Sequence, residues 1–188
     1  MGVERFFSNL SKQFDIITDL KKPYQRIDAT HLFIDFNSII HNVSAKMISD
    51  INKFKQKKID NLDYTIDKIS DFENLLVENV KNSVKNLLSD NFISDNLNYV
   101  MLSMDGVPTF SKMMEQKKRR FIGDILHQLM KKYELPFEWS KNNISSGTRF
   151  MDILSTELKD NQFLKECKII CKNLNGILVS DIYDPGEG

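Results

Sequence analysis

His31-Leu32-Phe33-Ile34-Asp35-Phe36 and Tyr99-Val100-Met101-Leu102-Ser103-Met104-Asp105 are two apolar runs, each reaching an aspartate. Such runs, apolar at successive positions instead of alternating, predict strands buried in a parallel sheet. Gly176-Ile177-Leu178-Val179-Ser180-Asp181 predicts a third strand. Between the strands the spacing becomes helical. Asn37 or Ser38 can cap a helix whose inner face carries Ile39, Ile40, Val43 and Met47. Ile69, Phe72, Leu76, Val80, Val84, Leu87 and Leu88 predict a long amphipathic helix over residues 68–89. A basic helix over about 111–132 follows the second strand, and Thr148 caps a helix bearing Phe150, Met151, Ile153, Leu154 and Leu158. Strands alternating with helices predict an α/β fold, a mostly parallel sheet flanked by helices.

The remaining segments fit around this frame. Val3, Phe6, Phe7, Leu10 and Phe14 predict a short amphipathic helix, followed by a loop with Lys21, Lys22 and Pro23. Residues 50–67 read as an exposed loop or frayed helix, and residues 90–98 as a link. No repeat or Gly/Ser linker divides the 188 residues, so one domain is expected. Lys+Arg and Asp+Glu balance at 26 each, so net charge is silent about partners and only local charge can matter. Cys167 and Cys171 lack a second Cys/His pair and read as buried thiols. That usage fits a reducing compartment. With no membrane-length apolar run, and with Glu4, Arg5 and Lys12 interrupting any signal-like core, a soluble intracellular protein (cytoplasmic or nuclear, not secreted) is expected. Phe6 also stands where myristoylation would need Ser or Thr.

In parallel sheets, ligands bind beyond the carboxyl ends of the strands. Asp35, Asp105 and the residues after Asp181 all fall there. Carboxylates gathered at one sheet edge repel one another unless a cation joins them, and hard oxygen donors suit Mg²⁺ or Mn²⁺. A single aspartate after a strand would more simply cap a turn. Two of them favour metal binding, which suits attack on a phosphodiester.

Lys112, Gln116, Arg119 and Arg120 stand at offsets of 0, 4, 7 and 8, on one face of the basic helix, with Lys117 and Lys118 at its sides. A Lys/Arg run is ordinarily a solvated surface. Here it opens just after Asp105, and paired Arg with Lys and Gln supply the donors that grip a terminal phosphate. Such a grip sets the scissile bond at a fixed distance from the metals, so nucleotides would be removed from the 5′ end. His41, on the helix after Asp35, can cap, lie on the surface, or stack on a terminal base. His31 and His127 read as structural, and Trp139, near Pro136 and Phe137, reads as core.

These blocks resemble, in order, the N-terminal region of the Xrn-type 5′→3′ exoribonucleases. The match runs through Met1-Gly2-Val3, Phe6-Phe7, the 31–42 block, Asp105-Gly106-Val107-Pro108, Lys112-Met113 with Gln116 and Arg119-Arg120-Phe121, Ser146-Gly147-Thr148 with Phe150-Met151, and Val179-Ser180-Asp181 with Pro185-Gly186-Glu187-Gly188. The resemblance implies a PIN/flap-endonuclease-like nuclease domain, of which residues 1–188 form the N-terminal part, incomplete at the C-terminus. It implies two Mg²⁺ (or Mn²⁺) ions in the complete domain and a substrate of single-stranded RNA with a 5′-monophosphate. By position, Asp35, Asp105 and Glu187 resemble the catalytic metal ligands. Lys112, Gln116, Arg119 and Arg120 resemble the 5′-phosphate pocket, and His41 resembles the base-stacking residue. Further ligands would come from a C-terminal nuclease segment, in cis or as a separate chain. Glu4 departs from the proline usual after Gly-Val in the family. Two other functions compete, a flap-type DNA 5′ nuclease and a non-catalytic binder of RNA 5′ ends.

Overall fold

The protein is described from a computed structural model, which covers residues 6–14, 26–56, 69–92, 95–131 and 139–186. The expectations for Val3, Glu4, Lys21, Lys22, Pro23, Pro136, Phe137 and Glu187, and for residues 57–68, lie outside the described residues. So do those for the side chains of Phe7, Arg119 and His127.

Three parallel strands form the sheet in the order β1-β2-β3: β1 His31–Asp35, β2 Tyr99–Ser103 and β3 Gly176–Val179. Helices connect them, as crossovers between parallel strands require. After α1 (Phe6–Gln13) come β1, α2 (Phe36–Gln56), α3 (Ile69–Asn91), β2, α4 (Phe110–Lys131), a 3₁₀ turn (Lys141–Asn143), α5 (Arg149–Lys159), α6 (Asn161–Ile170) and β3. The α/β architecture read from the strand–helix alternation is the one observed.

The core lies between one sheet face and α2, α3, α5 and α6. Phe72, Leu76, Val80, Val84 and Leu88 form the buried stripe of α3, meeting Val100 and Leu102 from β2 and Phe150, Leu154 and Phe163 from α5 and α6. Each such side chain contributes about 1.5–3 kcal/mol by leaving water. Charge pairs fasten the helices at the core's margin. Lys81 Nζ reaches Glu78 (3.1 Å) and Glu157 (3.2 Å), and Lys85 Nζ reaches Glu166 (2.8 Å). Burial opposes the Lys81 charge, but the hydrogen bonds and attraction of its two glutamates outweigh this and raise its pKa. Trp139 is buried edge-on against Phe150, and its indole N–H donates to Glu73 Oε1 (3.2 Å). This is the core placement its neighbours predicted. Both cysteines are free and buried, and desolvation, with Cys171 adding to it, pushes the Cys167 thiol up to about 12.

Four expectations need correction. β1 is not buried on both faces: Ile34 is covered, but Phe33 is 72% exposed. Among the described residues every helix that packs on the sheet lies on one side, so His31, Phe33, Tyr99, Met101 and Leu178 line a shallow groove of about 200 Å³ on the other. Helix α2 begins at Phe36, so Asn37 and Ser38 stand inside its first turn; it continues to Gln56, in line with the helical one of the two readings of the stretch from residue 50. Thr148 holds the N-cap position of α5 without a side-chain cap bond; its hydroxyl is turned back toward the Asn143 and Ser145 carbonyls, which share its one hydrogen. The α5 run is followed by a separate helix, α6, capped by Asp160, whose carboxylate accepts from the Gln162 N–H (3.0 Å).

Beyond their last paired residues, β2 and β3 stay fastened. The Ser180 hydroxyl accepts from the Met104 N–H (2.7 Å) and donates to the Met104 carbonyl (3.1 Å). Gly106 N–H donates to the Gly186 carbonyl (3.1 Å), Val107 N–H to the Asp184 carbonyl (2.8 Å), and Gly186 N–H to the Val107 carbonyl (3.1 Å). This strap requires glycine at 106, since a Cβ there would clash with the Asp184 carbonyl oxygen.

Leu154→Ala, at a fully buried position, is expected to lower stability by about 2–5 kcal/mol. Urea melts followed by Trp139 fluorescence should show an earlier midpoint with an unchanged slope. Gly106→Ala should cost about 1–3 kcal/mol or more through overpacking. Gly123→Ala, at a helical site with open space around it, should instead stabilise by about 0.5–1 kcal/mol. Equal effects of the two glycine substitutions would contradict the strap.

Candidate active site at the strand ends

Asp35 is the last residue of β1 and stands opposite Ser103 in the register, which sets it beside the segment leading to Asp105. Phe36, fully buried, anchors the start of α2, and the Ser38 hydroxyl donates to the Asp35 carbonyl (2.8 Å). Asn37 turns inward, is 92% buried (8% exposed), and its Oδ1 accepts a long hydrogen bond from the Asp105 N–H (3.4 Å). One side chain thus bridges the segments that carry the two aspartates. Asp35 is exposed and Asp105 half-buried, so both carboxylates can meet solvent or a ligand.

The strap brings the Asp184–Gly186 segment against the other side of the Asp105 loop. Asp181 does not join this edge as a free carboxylate. It accepts from the Tyr183 N–H (3.0 Å) and pairs with Lys159 (3.5 Å), and these partners, the Tyr183 amide first, hold its pKa down. The Tyr183 hydroxyl in turn donates to Asp152 (2.6 Å), which pins the loop to α5.

Asp35 and Asp105 are hard oxygen donors of the type that holds Mg²⁺ or Mn²⁺. Among the described residues no group of three or more His, Cys, Asp or Glu side chains is arranged to hold a metal ion. The described donors therefore fit part of a coordination shell. Glu187, the residue after the hydrogen-bonded Gly186, lies outside the described residues.

Helix α4 leaves the Asp105 loop through Val107, Pro108 and Thr109. Lys112 and Gln116 are half-buried, and Lys117, Lys118 and Arg120 are exposed. Further along α4, Asp124 accepts from the Asn142 side-chain amide (3.0 Å), tying the 3₁₀ turn to the basic helix. Lys141 of that turn and Asp105 both lie within electrostatic range of His41. Partial desolvation, then repulsion from Lys141, holds the exposed His41 below its ordinary value of 6.5, against a smaller upward pull from Asp105. His41 therefore feels both a cation, Lys141, and a carboxylate, Asp105.

Three contributors were not assigned to the site from the sequence. Asn37 and Ser180 lie inside the strand-end blocks, where an amide or hydroxyl next to an acid was the available signal. Lys141 sits among Asn and Ser residues with no periodicity to single it out.

The His41 environment has a pH signature. Its imidazole should titrate below 6.5 in the folded protein, and Lys141→Gln should move that value upward, as read from its ring resonances. The fold disfavours the protonated ring, so its contribution to stability is complete above 6.5 and declines as pH falls from there through the folded value. Titration at or above 6.5 would show that the ring is neither desolvated nor near Lys141.

The family described as XRN 5′-3′ exonuclease N-terminus matches residues 1–188. An uncharacterised protein of Acanthamoeba polyphaga mimivirus is 26% identical over 159 residues, covering 63% of this chain and all of that protein. The human 5′-3′ exoribonuclease 1 is 27% identical across an alignment of 200 positions, covering all of this chain and 10% of that protein. The Saccharomyces cerevisiae 5′-3′ exoribonuclease 1 is 26% identical over 167 residues, covering 85% of this chain and 10% of that protein. The chain thus matches only about a tenth of the length of these two exoribonucleases. On the full-length family match, the chain belongs to the XRN 5′-3′ exonuclease N-terminus family.

Proposed function

We propose that this chain serves a metal-dependent 5′→3′ exoribonuclease activity on single-stranded RNA bearing a 5′-monophosphate. The observation that carries the reading is the strap: it fixes the Asp105 loop between α2 and the Asp184–Gly186 segment immediately before the basic helix α4 begins. An acidic edge at the root of a basic helix suits a phosphodiester whose 5′ end is held a set distance away.

In this reading Asp35, Asp105 and Glu187 hold Mg²⁺ or Mn²⁺. The ions supply an activated water and charge stabilisation for the leaving oxygen. Lys112, Gln116, Arg119 and Arg120 bind the terminal phosphate through charge-assisted hydrogen bonds. His41, largely neutral at pH 7 by its lowered pKa, stacks on the terminal base. Fixing the end in this way presents one internucleotide bond at a time to the acidic edge. The human and yeast relatives are named as 5′-3′ exoribonucleases, which supports this direction and RNA as the substrate class.

The test compares 3′-labelled strands with Mg²⁺ or EDTA: 5′-monophosphate RNA, 5′-hydroxyl RNA and 5′-monophosphate DNA. The expected result is Mg²⁺-dependent loss of mononucleotides from the monophosphorylated RNA, with the hydroxyl RNA slower by about tenfold or more. Lys112→Ala and Arg120→Ala should each weaken the grip on the monophosphate end by about 10–100-fold, at roughly 1.5–3 kcal/mol per charged hydrogen bond. Equal cleavage of RNA and DNA would favour a flap-type DNA nuclease. Tight binding of the phosphorylated RNA without Mg²⁺-stimulated loss would favour a non-catalytic 5′-end binder.

A further inference from the structure

Lys141 occupies a short turn held from several directions. Trp139 and Ile144 are buried on either side of it, the Ser140 hydroxyl accepts from the Asn142 N–H (3.3 Å), and the Asn142 amide holds Asp124 of α4 (3.0 Å). The backbone carrying Lys141 is therefore fixed between the core and the basic helix. Its side chain is exposed and forms no ion pair with a carboxylate among the described residues. It nevertheless lies close enough to His41 to repel a proton on that ring.

We propose that Lys141 contacts an internucleotide phosphate of a nucleic-acid strand running along the basic helix α4, to which the Asn142–Asp124 hydrogen bond ties its turn. This contact is additional to the terminal-phosphate cluster on α4, and the proposal rests on the functional reading above. An ammonium on a flexible stem suits a backbone phosphate, which needs a point charge and no fixed geometry. The placement is also apt electrostatically. Asp35 and Asp105 repel an anionic strand, and Lys141 supplies compensating charge within electrostatic range of His41, where the stacked nucleotide would lie. Because the contact is to the chain's backbone, it is independent of whether the strand begins with a phosphate or a hydroxyl.

Binding is measured by fluorescence anisotropy of 3′-labelled single-stranded RNA in EDTA, so that no turnover occurs, over a series of KCl concentrations. In Lys141→Gln, affinity should fall several-fold and the slope of log K against log salt should shrink by about 0.7, the value for one phosphate contact on a single strand. The loss should be equal for 5′-phosphate and 5′-hydroxyl RNA, Lys141→Arg should restore it, and Lys168→Gln on α6 should change nothing. Thermal melts of the variants should match the parent. An unchanged slope in Lys141→Gln would overturn the proposal, and a loss confined to 5′-phosphate RNA would place Lys141 in the end pocket instead. Failure of the parent protein itself to bind RNA would bring down the functional reading together with this one.

Discussion

The close approach of two backbones at Gly106 is the constraint on which the site depends. A β-carbon at that position would push the Asp184 carbonyl away and break the hydrogen bonds linking residues 106–107 to residues 184–186. With the approach preserved, the loops beyond β2 and β3 act as an extension of the sheet, and Ser180 adds a side-chain staple where regular pairing ends. Asn37 extends the same connection to β1. The carboxylates are thus placed by short backbone segments running out of a packed sheet, which position functional groups better than free loops do.

The remainder of the fold supports that edge from one side. Helix α3 lies across the sheet and is clasped by α5 and α6 through apolar packing and through Lys81 and Lys85. These pairs are partly buried, so they orient the helices more than they stabilise them. Helix α4 shares little of this packing and carries exposed Phe110, Met114 and Phe121. Its link to the body among the described residues includes the Asp124–Asn142 hydrogen bond, and the turn that makes this bond also carries Lys141. Structural attachment and positive charge therefore converge on one short segment.

Much of this was legible in the sequence. Apolar runs bounded by acids marked the three strands, and helical spacing marked α2, α3 and α5, because burial of one face writes a period into the chain. The sequence could not show which sheet face would be covered. Phe33 reads as core by type, yet coverage depends on where the crossover helices lie, and among the described residues they lie on the other side. Helix α6 was hidden because a single residue, Asp160, separates it from α5. Asp35 and Asp105 could be singled out by their positions after strands. The roles of Asn37, Ser180 and Lys141 depend on contacts between distant segments, and no local pattern encodes those.

The sequence distances within the site have a kinetic and thermodynamic consequence. Asn37 and Asp105 are 68 residues apart, and Met104 and Ser180 are 76 apart. Bringing such distant segments together carries a loop-closure entropy that local helices do not. The acidic edge consequently has no stable existence in a partly folded chain; it is complete only once all three strands have assembled. A ligand held there binds the assembled state and discriminates against the opened one. Its binding free energy is then transmitted to global unfolding, raising protection of the central β2 amides as well as those of the loops in contact with the ligand.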